Sequence, residues 1–174
     1  MNISEYNELI NSTLDSDFEL FFSGDDAPTI EVIESFEVEI ACKLPNDFKA
    51  LISSYLNGFY AEAKEEAWPR KQGGAYWMFQ YALVVYGLDS GLPDWINIRS
   101  EVKDFRSRTN TNLIPFMRTI SSSEPYCFTP EGKIMKWDND LQEAQPVIGL
   151  FFDVFKKELE EIKSFKERAA SECI

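Results

Sequence analysis

The chain has 174 residues, 44 % of them hydrophobic with 14 Phe, 7 Tyr and 4 Trp, which is ample material for one globular core and excludes disorder. It contains no His, which removes Ser-His-Asp and Cys-His triads, the usual proton shuttle near neutral pH and the commonest metal ligand. A net charge of -13 disfavours nucleic-acid phosphates and anionic lipid, so neither direct nucleic acid nor membrane is an expected partner, and a basic protein is. The charge is lopsided: residues 1–66 carry a net -12 and residues 67–174 only -1, and no basic residue precedes Lys43. That excess reads either as a solvated face or as an interaction surface.

MNISEYNELI has neither the basic start nor the apolar run of a signal peptide, so a cytoplasmic protein is expected. From Ile3, the residues Tyr6, Leu9, Ile10 and Leu14 fall at helical spacing and predict a helix over 3–14, followed by an acidic loop. Pro28-Thr29 opens a second helix with Ile30, Ile33, Phe36 and Ile40 inward and Glu31, Glu34 and Glu37 outside the stripe or at its edge. After Leu44-Pro45, Asn46 is the expected cap of a helix over 46–56 whose stripe, Phe48, Leu51, Ile52 and Tyr55, packs on the sheet; Asn57-Gly58 stops it. Gly58 to Ala63 reads as a short strand. Tyr76 to Tyr86, with Gln80 its one strongly polar side chain, reads as a central strand covered on both faces.

Asp94 is the expected cap of a helix carrying Trp95, Ile98, Val102 and Phe105 inward. Leu113 to Arg118 predicts a strand broken or edged by Pro115, and residues 125–129 and 133–138 predict a hairpin around Pro130-Glu131-Gly132. Val147 to Leu150 is expected to form a last strand, before a C-terminal helix marked by Phe151, Phe152, Phe155, Leu159, Ile162 and Phe165. Cys42, Cys127 and Cys173 lack C-x-x-C spacing, so reduced thiols are expected rather than disulfides or zinc.

No Walker loop, dinucleotide glycine fingerprint, nucleophile elbow or metal-ligand spacing is present, so neither catalytic residues, cofactor nor metal is expected. Asp138 and Asp140 beside Trp137 form an acid pair next to an aromatic; with 30 acids such spacing arises by chance, and a hairpin-end turn with a packed Trp accounts for it as well. The aromatics Tyr76, Trp77, Phe79, Tyr81 and Tyr86 serve either as core or as anchors of a protein-binding face.

The stretch IESFEVEIACKLPNDFKALISSYLNG, residues 33–58, resembles the opening signature of the SUKH superfamily, through Ile33, Glu34, Glu37, Leu44, Pro45, Phe48, Leu51, Asn57 and Gly58. The likeness continues in Val85-Tyr86-Gly87-Leu88, Leu113 to Phe116, the Gly132 hairpin ending at Lys136-Trp137-Asp138, and the helix from Phe151, about residues 28–165 in all. Cys42, Phe59 and Ser122-Ser123-Glu124 depart from the family pattern. The resemblance implies an α+β fold, a mixed or antiparallel sheet flanked by helices in a single domain over 1–174, with 1–27 a helical extension. It further implies a non-catalytic immunity protein that neutralises a cognate bacterial toxin, of which a basic nuclease is one kind; the alternative is a regulatory scaffold like the fungal cell-wall-synthesis regulators. The candidate partner-binding residues are Glu34, Glu37, Trp77, Trp137, Asp138 and Asp140.

Overall fold

The computed structural model describes residues 2–21, 27–67, 82–88, 91–120 and 124–171. In chain order their elements are α1 (Ile3–Thr13), β1 (Phe18–Phe21), α2 (Ile30–Ile40), α3 (Asn46–Ile52), β2 (Tyr60–Ala63), β3 (Ala82–Val85), α4 (Ile98–Thr109), β4 (Ile114–Thr119), β5 (Tyr126–Phe128), β6 (Ile134–Asp138), β7 (Glu143–Pro146) and α5 (Phe151–Ser171). The seven strands form one antiparallel sheet in the order β1-β2-β3-β4-β5-β6-β7, so each pairs with its neighbours in sequence. This is an α+β fold.

Strand alternation sorts the side chains onto two faces. Phe18, Ala61, Ala63, Leu83 and Val85 point to one side and are buried beneath α1, α3 and α5, with Phe59 edge-on to Phe155 of α5 at 5.5 Å. Here the core is aromatic. Phe48 of α3 lies 5.3 Å from Phe128, 5.9 Å from Phe116 and 5.1 Å from Phe151, joining sheet and α5 through one ring. Tyr6 of α1 packs against Phe152 and Phe155 and donates its hydroxyl to the Asp47 carbonyl at 2.9 Å. Each such ring pair is worth about 0.5–1.5 kcal/mol beyond its burial. On the other face α4 covers the β4 to β6 end, where Phe105 stands edge-on to Trp137 at 5.5 Å with Cys127 beside it.

Several expectations are corrected by local chemistry. The acidic loop after α1 contains β1, whose Phe18 joins the core while Phe21 stays half exposed. Pro45, not Asn46, occupies the N-cap of α3, and Asp47 accepts instead from Phe48 N and, across the layer, from Phe152 N at 3.2 Å. That helix ends at Ile52, because Ser54 hydrogen-bonds back to the Leu51 carbonyl and turns the chain, leaving Tyr55 exposed. Asn97 caps α4 through Arg99 N at 2.9 Å, so Asp94 and Trp95 lie outside the helix and Trp95 is 50 % exposed. Pro115 neither breaks nor edges its strand: β4 is interior and absorbs the missing donor in a register shift between Pro115 and Met117. The last strand is β7, ahead of the predicted 147–150. Of the predicted strand 76–86, residues 76–81 lie outside the described residues; Ala82–Val85 is buried on both faces. Residues 3–21 belong to the same sheet and core as the rest.

The end of β3 is pinned to the turn after α3 by a close backbone approach. Asn57, fully buried, accepts from Leu88 N at 2.8 Å, and Gly58 turns with φ +66°. A Cβ on Gly87 would stand 2.2 Å from Gly58 N and 2.5 Å from Asn57 Oδ1, so no side chain fits there. Gly87→Ala is therefore expected to lose about 3 kcal/mol in a denaturant titration, because backbone has to move. Gly132→Ala, with its nearest neighbour at 3.6 Å but φ +78°, should lose only about 1–2 kcal/mol from left-handed strain.

Candidate functional site

The carboxylates of the N-terminal third divide into those held internally and those left at the surface. Glu37, on the buried side of α2, is 3 % exposed: its carboxylate accepts from Leu44 N at 2.8 Å, Lys43 Nζ at 2.8 Å and Lys49 Nζ at 3.1 Å. This corrects its expected place at the outer edge of the helix; Ile30, expected inward, is 57 % exposed instead. Burial alone opposes ionisation of Glu37, but its three donors outweigh it and hold the carboxyl below its ordinary range. Asp15 and Asp17 hold Lys166 of α5, Glu39 pairs with Arg99 of α4, and Glu5 closes the capping box of α1. Glu8, Glu19, Glu31 and Glu34 are exposed and enter none of the ion pairs among the described residues. Glu34 thus stands where a partner can reach it, on the outer face of α2.

Among the described residues, Trp137, Asp138 and Asp140 belong to β6 and the turn after it, whereas Glu34 is on α2. Trp137 is 3 % exposed beneath α4, and Asp138 Oδ1 accepts from Asp140 N and Leu141 N, both at 2.9 Å, which closes the β6–β7 turn. That geometry is a strand-end turn with a packed Trp. Trp77 lies outside the described residues. Cys42 and Cys127 are buried, and burial raises both thiols, so neither is a thiolate nucleophile. Among the described residues no group of three or more His, Cys, Asp or Glu is arranged to hold a metal, and no helix is long and apolar enough to cross a membrane.

A surface that the sequence did not announce lies on the sheet face shared with α4. Register places Phe21 opposite Tyr60 and Glu19 opposite Glu62, and α4 covers the far end of this face rather than β1 and β2. Phe21 and Tyr60 have ring centroids 5.7 Å apart, and Tyr60 and Trp95 meet edge-on at 5.5 Å, so three rings from β1, β2 and the approach to α4 form one row. Carboxylates border it: Tyr60 donates its hydroxyl to Glu62 at 2.6 Å, and Asp94 accepts from Ser100 at 2.8 Å. Burial, the hydrogen bond to Glu62, and the negative charges of Glu62 and Glu19 push the Tyr60 phenol far above its ordinary range. Past Trp95 the surface continues as a shallow groove of about 510 Å³ along α4, bordered by Glu101 and Asp104 with Lys103 among them.

Residues 27–165 match the family model of the SMI1 / KNR4 family (SUKH-1). No curated protein matches the chain.

Because the Glu37 carboxyl is held below its unfolded value of about 4.3, it stabilises the fold above that pH and ceases to do so as pH falls through its folded value. Glu37→Gln should lower stability by about 1–2 kcal/mol at pH 7, much of the exposed Lys43 contribution being screened, and the deficit should shrink on acidification. Glu34→Gln should leave the melting curve unchanged at both pH values. Urea titrations at pH 7 and pH 3.5 check both expectations.

Proposed function

The chain belongs to the SMI1 / KNR4 family (SUKH-1), and on that premise we propose that it is a non-catalytic, cytoplasmic protein-binding domain that neutralises a basic toxin by occupying it. The observation that carries the partner's sign is the excess of exposed acid in the N-terminal third: among the described residues Glu8, Glu19, Glu31 and Glu34 stand exposed without an ion pair, while the internal ion pairs take up Asp15, Asp17, Glu37 and Glu39. A nuclease toxin has to present Lys and Arg to phosphates, and such exposed carboxylates are complementary in charge to that site. Occupation needs no nucleophile or proton shuttle, which agrees with a chain lacking His. A regulatory scaffold shares the fold and the charge but has no toxin to neutralise.

The test is a co-expression assay with the product of a neighbouring toxin gene, followed by association kinetics across a salt series. Neutralisation of growth arrest, with an association rate that falls steeply as salt rises, is the expected result; steering of this kind is worth about 10- to 1,000-fold at low salt. Glu31→Lys with Glu34→Lys should slow association while leaving dissociation nearly unchanged, because rim charges govern encounter. A salt-independent rate or an acidic partner would remove the electrostatic basis of the proposal.

A further inference from the structure

Six other described aromatic rings carry a cation from within the chain. Lys166 lies over Phe18, Arg99 over Phe36, Arg118 over Tyr86, Arg108 over Phe105, Lys136 over Tyr126 and Arg168 over Phe165, at 5.1 to 6.0 Å from the ring centroids. The row Phe21, Tyr60 and Trp95 differs. Among the described residues no Lys or Arg lies over these rings, and none is ion-paired with Glu19, Glu62 or Asp94, although Phe21 and Trp95 are each 50 % exposed. A surface that joins ring faces to unpaired carboxylates has the chemistry of a cation receptor without its cation.

We propose that this row is the seat of an arginine side chain projecting from the basic partner, its guanidinium lying on the Tyr60–Trp95 rings and its N–H groups donating to Glu62 or Asp94. The inference rests on the protein-binding reading above and deepens it by naming the surface and the group it receives. Arginine is specified over lysine because a planar guanidinium stacks on a ring and donates in a fork to a carboxylate at once, whereas an ammonium is a strongly hydrated point charge. Trp and Tyr are also the side chains that most often anchor interfaces, with arginine their frequent counterpart. The neutralising surface then has two parts: the α2 acids steer the partner in, and the aromatic row holds it.

The experiment is an NMR titration of the ¹⁵N-labelled full chain with a capped peptide, Gly-Arg-Gly-Arg-Gly, against the same peptide carrying citrulline, which keeps the planar shape and lacks the charge. The Trp95 indole resonance, assigned by its absence in Trp95→Phe, should shift saturably with the arginine peptide and bind citrulline at least about tenfold more weakly. Trp95→Ala and Glu62→Gln should each weaken binding several-fold while Glu8→Gln, on the opposite side of the sheet, does not; melting curves of all three should show that they fold. Equal binding of the citrulline peptide overturns the proposal, and so does a Glu8→Gln effect as large as that of Glu62→Gln, which would mean diffuse attraction. Trp95 shifts that grow with protein concentration alone would overturn it in favour of a second copy of the chain. No toxin enters this titration, so it can fail while neutralisation stands, or succeed while neutralisation fails.

Discussion

A carboxylate taken out of water must be fully supplied with donors, and the way Glu37 meets that demand organises the helical layer. Its three donors come from beyond the end of its own helix, so the chain must reverse after Ile40 for the charge to be satisfied. The reversal is made at Ala41, whose φ of +54° is one that Ala adopts only with strain. Lys49 then sits on Glu37, the first turn of α3 is fixed against α2, and Phe48 one position earlier is carried into contact with both sheet and α5. Remove the carboxylate and the strained turn keeps only its backbone bonds, from Ala41 N to the Val38 carbonyl and from Cys42 N to the Glu37 carbonyl.

The same layer leaves the other face of the sheet only partly covered. With α1, α3 and α5 on one side of the sheet, α4, tied to α2 through Arg99–Glu39 and Arg106 to the Ile40 carbonyl, covers part of the opposite side, and a 12-residue helix is too short to span seven strands. It lies over β4 to β6, where Phe105, Cys127 and Trp137 need covering. The β1–β2 end keeps its aromatics in view. A sheet closed on one face and half closed on the other leaves ordered strands at its open end, and ordered strands lose little further entropy when something docks on them.

Core stripes are legible in the sequence because helical periodicity reports burial directly, as Ile33, Phe36 and Ile40 or Ile98, Val102 and Phe105 show. The Asn57-Gly58 stop, the Gly132 hairpin and the antiparallel option for the sheet are legible for the same local reasons. Glu37 is misread because periodicity counts a carboxylate as outward and contains no information about Lys43, Leu44 N and Lys49 folding back over it. Trp95 is misread because it continues the spacing of α4 backward past the true N-cap, Asn97. The aromatic row has no sequence signature at all: Phe21 and Tyr60 meet through strand register, and Trp95 joins them from the segment before α4, which Gly87 N holds to the end of β3 through the Ile96 carbonyl. Of the predicted site residues that are described, Glu34 and Asp140 are exposed, while Glu37 and Trp137 are interior.

Strands β4 to β7 follow one another through short connections, so that end of the sheet can zip from hairpins whose loop-closure entropy is small, whereas α2 and α3 lie between β1 and β2 and α4 between β3 and β4. The packing of the two chain ends is longer in range still, for it joins Tyr6 and Asp15 to Phe155 and Lys166 across most of the chain. That long-range closure has no local nucleus to speed it. The two ends of the chain therefore close the core between them, with Tyr6, Phe151 and Phe155 fully buried on the face away from the aromatic row, so the layer behind that row is completed by contacts between residues far apart in sequence.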